Sequence, residues 1–505
     1  MKHKAVYLTA ILVILPAMWA LAGEPAVTVY NQGFAVVREI IHLDLQKGVN
    51  QVACQDITIH LEPDSVMLRD PSGKRRLQIL EQSYRGDPLS QGLLLNANEG
   101  QTLDFLVREG DSCVIQQGRI IRSGYVPHSM AMGRYGQQYS HTQMAAGYGE
   151  MGEPIVEIDG KIRFGLPGQP LFAPIDESTG LKPTVNWTIE ADAAGPFDAE
   201  LGYVTGGMSW NASYNFVAPA KGDKLDLVAW ITVDNQCGRT FENARLKLMA
   251  GDVNKLVPET GGYGGAYSGV VVGGSLGMRA LVTEKEFDEF HLYTIERPTS
   301  LHDRETKQVE FIRAEGVVSE CYYVYDGVKL NDEGYQSYST AQLMQQAEYG
   351  SESRTDVWVM RDIQNEKANQ LGMPLPAGRT RFYERDEDEQ IEFTGENTID
   401  HTPAGETLHL YTGNAFDLVG QRVRTNYRCD YDRQWCDESF AVTLRNHKKD
   451  PVEIRVVERL YRGMNWEMRE ESDPYTKMDS QKIEFRIKVK PNEEKTVSYT
   501  VHYTW

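Results

Sequence analysis

Residues 497–505 read Val497-Ser498-Tyr499-Thr500-Val501-His502-Tyr503-Thr504-Trp505. Five apolar side chains alternate with four polar ones, so every second residue would face the same way. Only a β-strand with one buried face repeats with period two. The same alternation appears near the other end of the chain, where Ile41, Leu43 and Leu45 interleave with His42 and Asp44. Between these two stretches, runs rich in Val, Ile, Thr and Tyr recur, separated by turn residues. Asp159-Gly160 lies between Ile155–Ile158 and Lys161–Phe164, as a two-residue type I′ hairpin requires. The single clear helix signal is Ser90–Asn98, with Ser90 placed as N-cap. A second short helical period runs over Ser339–Tyr349. The expected fold is all-β and mostly antiparallel, a multi-domain β-sandwich and small-barrel architecture with very little helix.

The 505 residues carry 52 Lys and Arg against 72 Asp and Glu, a formal charge of −20. So acidic a chain has little basic surface with which to displace counterions from a phosphate backbone, which argues against nucleic acid as a partner. Residues 1–22 have the layout of an export signal: Lys2 and Lys4, an apolar run from Ala5 to Trp19, then Ala20-Leu21-Ala22. Cleavage is expected between Ala22 and Gly23, leading to a periplasmic or extracellular protein with no transmembrane segment in the mature chain.

Export makes disulfides relevant to the six cysteines, Cys54, Cys113, Cys237, Cys321, Cys429 and Cys436. One pairing can be argued locally. Cys429 and Cys436 bracket six residues, short enough for a loop that returns on itself. The remaining organisation is read from composition. An N-terminal β domain spans 23–165 with an insert at 127–154, followed by a Pro-rich linker at 166–183. The C-terminal sandwich-type domain or domains span 184–505, with inserts at 259–278 and 330–353.

Few residues point to chemistry. His302 and Asp303, in Leu301–Glu305, and Asp400 and His401 are polar clusters at strand ends. They would serve acid–base or metal chemistry if the fold joined them, and would otherwise shape turns. Gly273–Gly277 matches the G-x-S-x-G pattern but sits in a glycine-dense stretch with no helix after it. His128, Met130, Met132, His141, Met144 and Met151 offer soft donors suited to Cu(I), a pattern that loop composition also explains. The acidic run 384–392 lacks the spacing of a calcium loop and reads as a solvated hairpin tip. Trp210, Tyr214, Trp230, Trp358 and Trp466 are core if buried; if exposed, they would stack on sugar rings or anchor a protein. No cofactor or metal ligand set is complete.

Eight ordered stretches carry a family resemblance. They are VYNQGFAVVRE (29–39), LGYVTGGMSWNASY (201–214), FENARLKLMAGDVNKL (241–256), FHLYTIERPTSLHDRETKQVEF (290–311), MPLPAGRTRFYERD (373–386), GENTIDHTPAGE (395–406), GNAFDLVGQRV (413–423) and TLRNHKKDPVEIRVVE (443–458). Together they resemble the domain-of-unknown-function 4139 family, related to mucoidy inhibitor A-like proteins. The resemblance implies an exported or envelope-associated bacterial protein of mostly β structure, and no activity. The expected function is non-enzymatic binding of, or scaffolding for, an envelope protein or cell-surface polymer. The alternative is an envelope hydrolase acting on polysaccharide through dispersed carboxylates and histidines. A concave pocket with converging carboxylates would favour the hydrolase; a flat aromatic patch would favour binding.

Overall fold

The computed structural model describes residues 25–86, 90–110, 112–125, 153–173, 182–219, 222, 224–251, 253–255, 282–287, 290–330, 346–386, 388 and 390–505. Strand accounts for 65% of it and helix for 3%. The one α-helix among the described residues is Gln91–Ala97, capped by the Ser90 hydroxyl, which accepts from the Leu93 N–H. Of the helical stretch read at 339–349, only 346–349 is described, and those residues form a turn entry. The export signal with Ala22 and Gly23, the G-x-S-x-G stretch, and the His/Met series from 128 to 151 all lie outside the described residues.

The chain divides into two compact units. The first comprises the described residues up to Trp210 and from Thr232 to Gln308; the second comprises Asn211–Ile231 and Val309–Trp505. Of the stretch read as a linker, 166–183, the described residues 166–173 and 182–183 fall within the first unit, and 169–171 form a short strand.

The same order of strand pairings occurs twice along the chain. In the second, Glu320–Tyr325 pairs antiparallel with Asp356–Gln364, which pairs with the start of Thr407–Asp430. The far half of that 24-residue strand pairs with Trp435–Asn446, and Trp435–Asn446 with Glu494–Thr504. Val452–Arg459 returns to pair in parallel with Glu320–Tyr325, and Lys482–Val489 adds antiparallel to it. In the first unit, Ala26–Tyr30, Phe34–Leu45 and Gly195–Gly206 take the first three places. Met208–Ala218, Lys224–Asn235 and Glu305–Val318, whose residues are divided between the two units, pair in that order in another sheet, and Phe241–Ala250 returns parallel to Ala26–Tyr30 with Phe290–Ile295 beside it. One strand thus serves both layers. In the first copy it breaks at Gly207, whose φ of +77° suits glycine and where a Cβ would lie 2.6 Å from the His60 ring. In the second it stays continuous, and Gly420 leaves room for the buried ring of Tyr325, which a Cβ would meet at 2.1 Å.

The alternation read from 497–505 holds. Val497, Tyr499, Val501 and Tyr503 are buried, and their strand is paired on both sides, with Trp435–Asn446 and Trp466–Glu471. The Tyr499 ring lies 5.8 Å from Phe485 of the opposite layer and 5.4 Å from Phe440, its cross-strand partner in the same layer, between centroids.

The barrel expectation is corrected. The small sheet Gln169–Leu171, Thr102–Glu109, Ser112–Arg122, Ile155–Ile158, Lys161–Phe164 has two free ends in its order, and no sheet closes. Its five strands include members of only three and four residues, and the helix Gln91–Ala97 supplies Leu95 to its core. Asp159 and Gly160 both adopt positive φ, 51° and 72°, as the type I′ reading requires.

An asparagine clip fixes the corner of each sandwich. Asn446, buried at the end of its strand, donates from Nδ2 to the carbonyls of Asp450 (2.9 Å), Val489 (3.2 Å) and Lys490 (3.2 Å), and accepts from the Lys448 N–H (2.9 Å). Asn235 does the same in the first unit. It donates to Arg239 (2.8 Å), Leu301 (3.3 Å) and His302 (3.1 Å), and accepts from Cys237 (3.2 Å). Removing either carboxamide strands buried carbonyls, each costing about 1–3 kcal/mol. Asn446→Ala should therefore lower unfolding stability by about 3 kcal/mol, read as a fall in urea midpoint; a shift under a quarter of that would contradict the clip.

Candidate functional site

The four residues proposed for acid–base work are engaged in turns. His302 and Asp303 belong to the first unit, Asp400 and His401 to the second. The His302 N–H donates to Glu305 Oε2 (2.8 Å), and Arg304 sits at φ 59°. Asp303 Oδ1 accepts from the Gly238 N–H (2.9 Å), and its own N–H donates to Thr240 Oγ1 (3.0 Å). The second unit repeats this turn without histidine: the Lys490 N–H donates to Glu493 Oε2 (2.6 Å), and Asn492 sits at φ 55°. The backbone of residue 302, not its imidazole, is thus the shared feature. In the second unit His401 Nδ1 accepts from the Ala377 N–H (3.1 Å), and the Asp400 carbonyl accepts from Thr402 Oγ1. Among the described residues no three His, Cys, Asp or Glu side chains gather as a metal site. The described residues 386, 388 and 390 of the acidic run lie between the paired strands Gly378–Arg385 and Ile391–Ile399.

The most heavily charged interior is a clamp. Arg422 and Glu458 are wholly buried and paired at 2.9 Å, with the Tyr499 hydroxyl donating to Glu458 (2.7 Å). Arg462 pairs with buried Glu438 at 3.1 Å. Burial opposes the Arg422 charge, but Glu458 together with Tyr499 and Tyr461 outweighs it and raises its pKa; burial and Glu458 push the Tyr499 hydroxyl up. The guanidinium of Arg422 donates to Gly350 O (2.7 Å), and that of Arg462 to Gln346, Ala347 and Tyr349. The described end of the insert read at 330–353 is therefore fastened to the sheet.

Cys429 and Cys436 face each other across the hairpin and form a disulfide. Cys54 and Cys237 are buried beside Arg239, which is fixed by a two-bonded Glu39 at 2.8 Å. Burial pushes each of the Cys54 and Cys237 thiols up to about 12. Of the aromatics singled out, Trp210 and Tyr214 are core. Trp210 donates to Met249 O (3.1 Å) and Tyr214 to Pro376 O (2.7 Å).

Trp358 is different. On the second unit's first layer, Val324 faces Trp358, which faces Asn414. One rung along, Tyr322 faces Met360, which faces Tyr411. On the next, Glu320 faces Asp362, which faces His409. Cross-strand partners share a face, so these nine form one plate, opposite to the buried Tyr325, Val357 and Ile363. Its aromatics are only partly covered. Trp358 stands edge-on to Tyr411, centroids 6.1 Å apart, and the Tyr411 hydroxyl donates to Asn414 (2.9 Å). The Tyr322 hydroxyl donates to Asp362 (2.9 Å), which also binds His409 Nδ1 (2.8 Å). The Arg455 guanidinium lies 3.6 Å from the Tyr322 ring centroid and donates to Glu320 (2.8 Å). Further along the same strand as Asn414, Phe416 is 97% exposed.

The repeated plan supplies an internal comparison. Matching the parallel pairs Val27–Leu246 and Tyr323–Ile454 places Ala26, Val36 and Gly202 where the second unit has Tyr322, Trp358 and Tyr411. The scaffold does not need rings at these positions. The sequence reading found Trp358 but missed Tyr322 and Tyr411. The available signal was Tyr322-Tyr323, aromatic on both phases of one strand, so that one of the two must face away from the core.

A cleft of about 240 Å³ in this unit shares Asn414 with the plate and is also lined by Arg361, Phe382, Tyr383, Glu384 and Thr394; Glu384 is the one carboxylate among its described lining residues.

The chain matches no family model and no curated protein. Two outcomes are expected. His302→Lys, which installs the residue found in the equivalent turn, should change stability by no more than about 0.5 kcal/mol. In native protein at pH 8, iodoacetamide should label Cys113 and spare Cys54 and Cys237 until denaturant is added, read by mass spectrometry of tryptic peptides.

Proposed function

We propose that this chain is a non-enzymatic binding protein for a cell-surface polymer, and that saccharide rings stack on the plate formed by Tyr322, Trp358 and Tyr411. The observation that carries this reading is the plate itself. Partly exposed rings lie beside hydrogen-bonding Asn414, Asp362 and His409, at positions where the sister sandwich has no aromatic residue. An aromatic face combined with polar edges suits a sugar, whose C–H faces are apolar and whose rim is hydroxylated. The export reading of residues 1–22 and the resemblance to an envelope-associated family supply the setting and form part of the proposal. Nothing favours the hydrolase alternative as strongly. The described lining of the cleft near the plate includes one carboxylate, whereas glycoside hydrolysis ordinarily uses a pair.

The test is retention of the purified chain on an insoluble envelope polysaccharide fraction. Trp358→Ala and Tyr411→Ala should each weaken binding roughly 30-fold, since a central aromatic anchor contributes about 2 kcal/mol. Both variants should keep the wild-type circular dichroism spectrum and urea midpoint. Folded variants that bind as tightly as wild type would overturn the assignment, and capture of a protein through this same face would replace the polymer with a protein partner.

A further inference from the structure

We infer that the polymer taken by this plate is an uncharged saccharide and not a uronate or phosphodiester polymer; this rests on the binding reading above. The argument is charge complementarity. The cations nearest the plate already meet carboxylates, and only Lys482, at the far end of the outer strand Lys482–Val489, faces another cation, Arg459, which itself pairs with Asp326. Arg455 donates to Glu320 at 2.8 Å, and Arg486 donates to Glu484 at 2.9 Å. Lys488 stands directly opposite Glu453 in the strand register. Asp362 holds His409 and the Tyr322 hydroxyl. An anionic polymer laid on the plate would meet Arg455 as its adjoining cation, already bonded to Glu320, and binding would require breaking a pair that fixes the plate.

Arg455 in particular is engaged twice. It is stacked on the Tyr322 ring and tied to Glu320, so its planar fork is occupied on one edge and one face. The groups left to a ligand are ring faces and neutral or already paired polar atoms: Trp358, Tyr411, Phe416 and the Asn414 carboxamide. The chain's formal charge of −20 acts in the same direction at long range, repelling a polyanion before contact. Strands two apart in a sheet are about 9.5 Å from each other. Tyr322 and Tyr411 are so placed, on either side of Met360. That separation spans more than one pyranose ring, so the plate would read a polymer segment and not a single sugar.

The experiment is affinity electrophoresis of the full chain in native gels containing dextran, soluble β-glucan, polygalacturonate or hyaluronan, each at low and high salt. Retardation by a neutral polymer, unchanged by salt and reduced at least tenfold in Trp358→Ala, is the expected result. Retardation by polygalacturonate or hyaluronan alone, abolished by salt, would overturn this inference while leaving polymer binding intact. Migration unaffected by all four, with no retention on the envelope fraction either, would overturn both.

Discussion

A carboxamide at a strand end governs both halves of this molecule. Where a sandwich strand leaves one layer and the chain crosses to the other, backbone carbonyls are buried with no ladder partner, and each must find a donor. Asn235 and Asn446 supply it, each donating to three carbonyls contributed by two chain segments and accepting one N–H. Asparagine is the smallest side chain that both donates twice and accepts, so the geometry admits few substitutes. With the corner fixed, the register of the returning parallel strand is fixed, and with it which residues face inward.

That register is what creates the plate. Once Tyr325, Ile454 and Val456 are committed to the core, Tyr322, Val324 and Arg455 must point the other way. The buried Arg422–Glu458 and Arg462–Glu438 pairs play a different part. Four of their hydrogen bonds go to the carbonyls of residues 346–350, so they hold an irregular segment against the second layer. Buried charge and perturbed titration here mark a structural junction, a reminder that such groups are not by themselves a catalytic signature.

The comparison between the two sandwiches also reinterprets the histidine clusters. A turn that needs a positive-φ residue and a glutamate closing back on a backbone N–H occurs once with His302 and once with Lys490. The polar residues that looked chemical in one dimension are explained by the turn they build, as short polar side chains at strand ends usually are.

Alternation alone was enough to read the strand at 497–505, the Asp159-Gly160 hairpin, the Ser90 cap and the all-β class, because period two, positive-φ turn residues and capping hydroxyls are local properties. The Cys429–Cys436 bridge was legible for the same reason, since only six residues separate the two. The open edge of the five-stranded sheet was not legible, because closure depends on strand length and shear summed over strands far apart in sequence. Nor was the repeated plan, whose two copies share an asparagine and a turn but little else. Trp358 could be named from the sequence; that it joins Tyr322 and Tyr411 on a face turned away from the core could not. Those residues come from three separate stretches of chain, and only strand pairing brings them onto adjacent rungs.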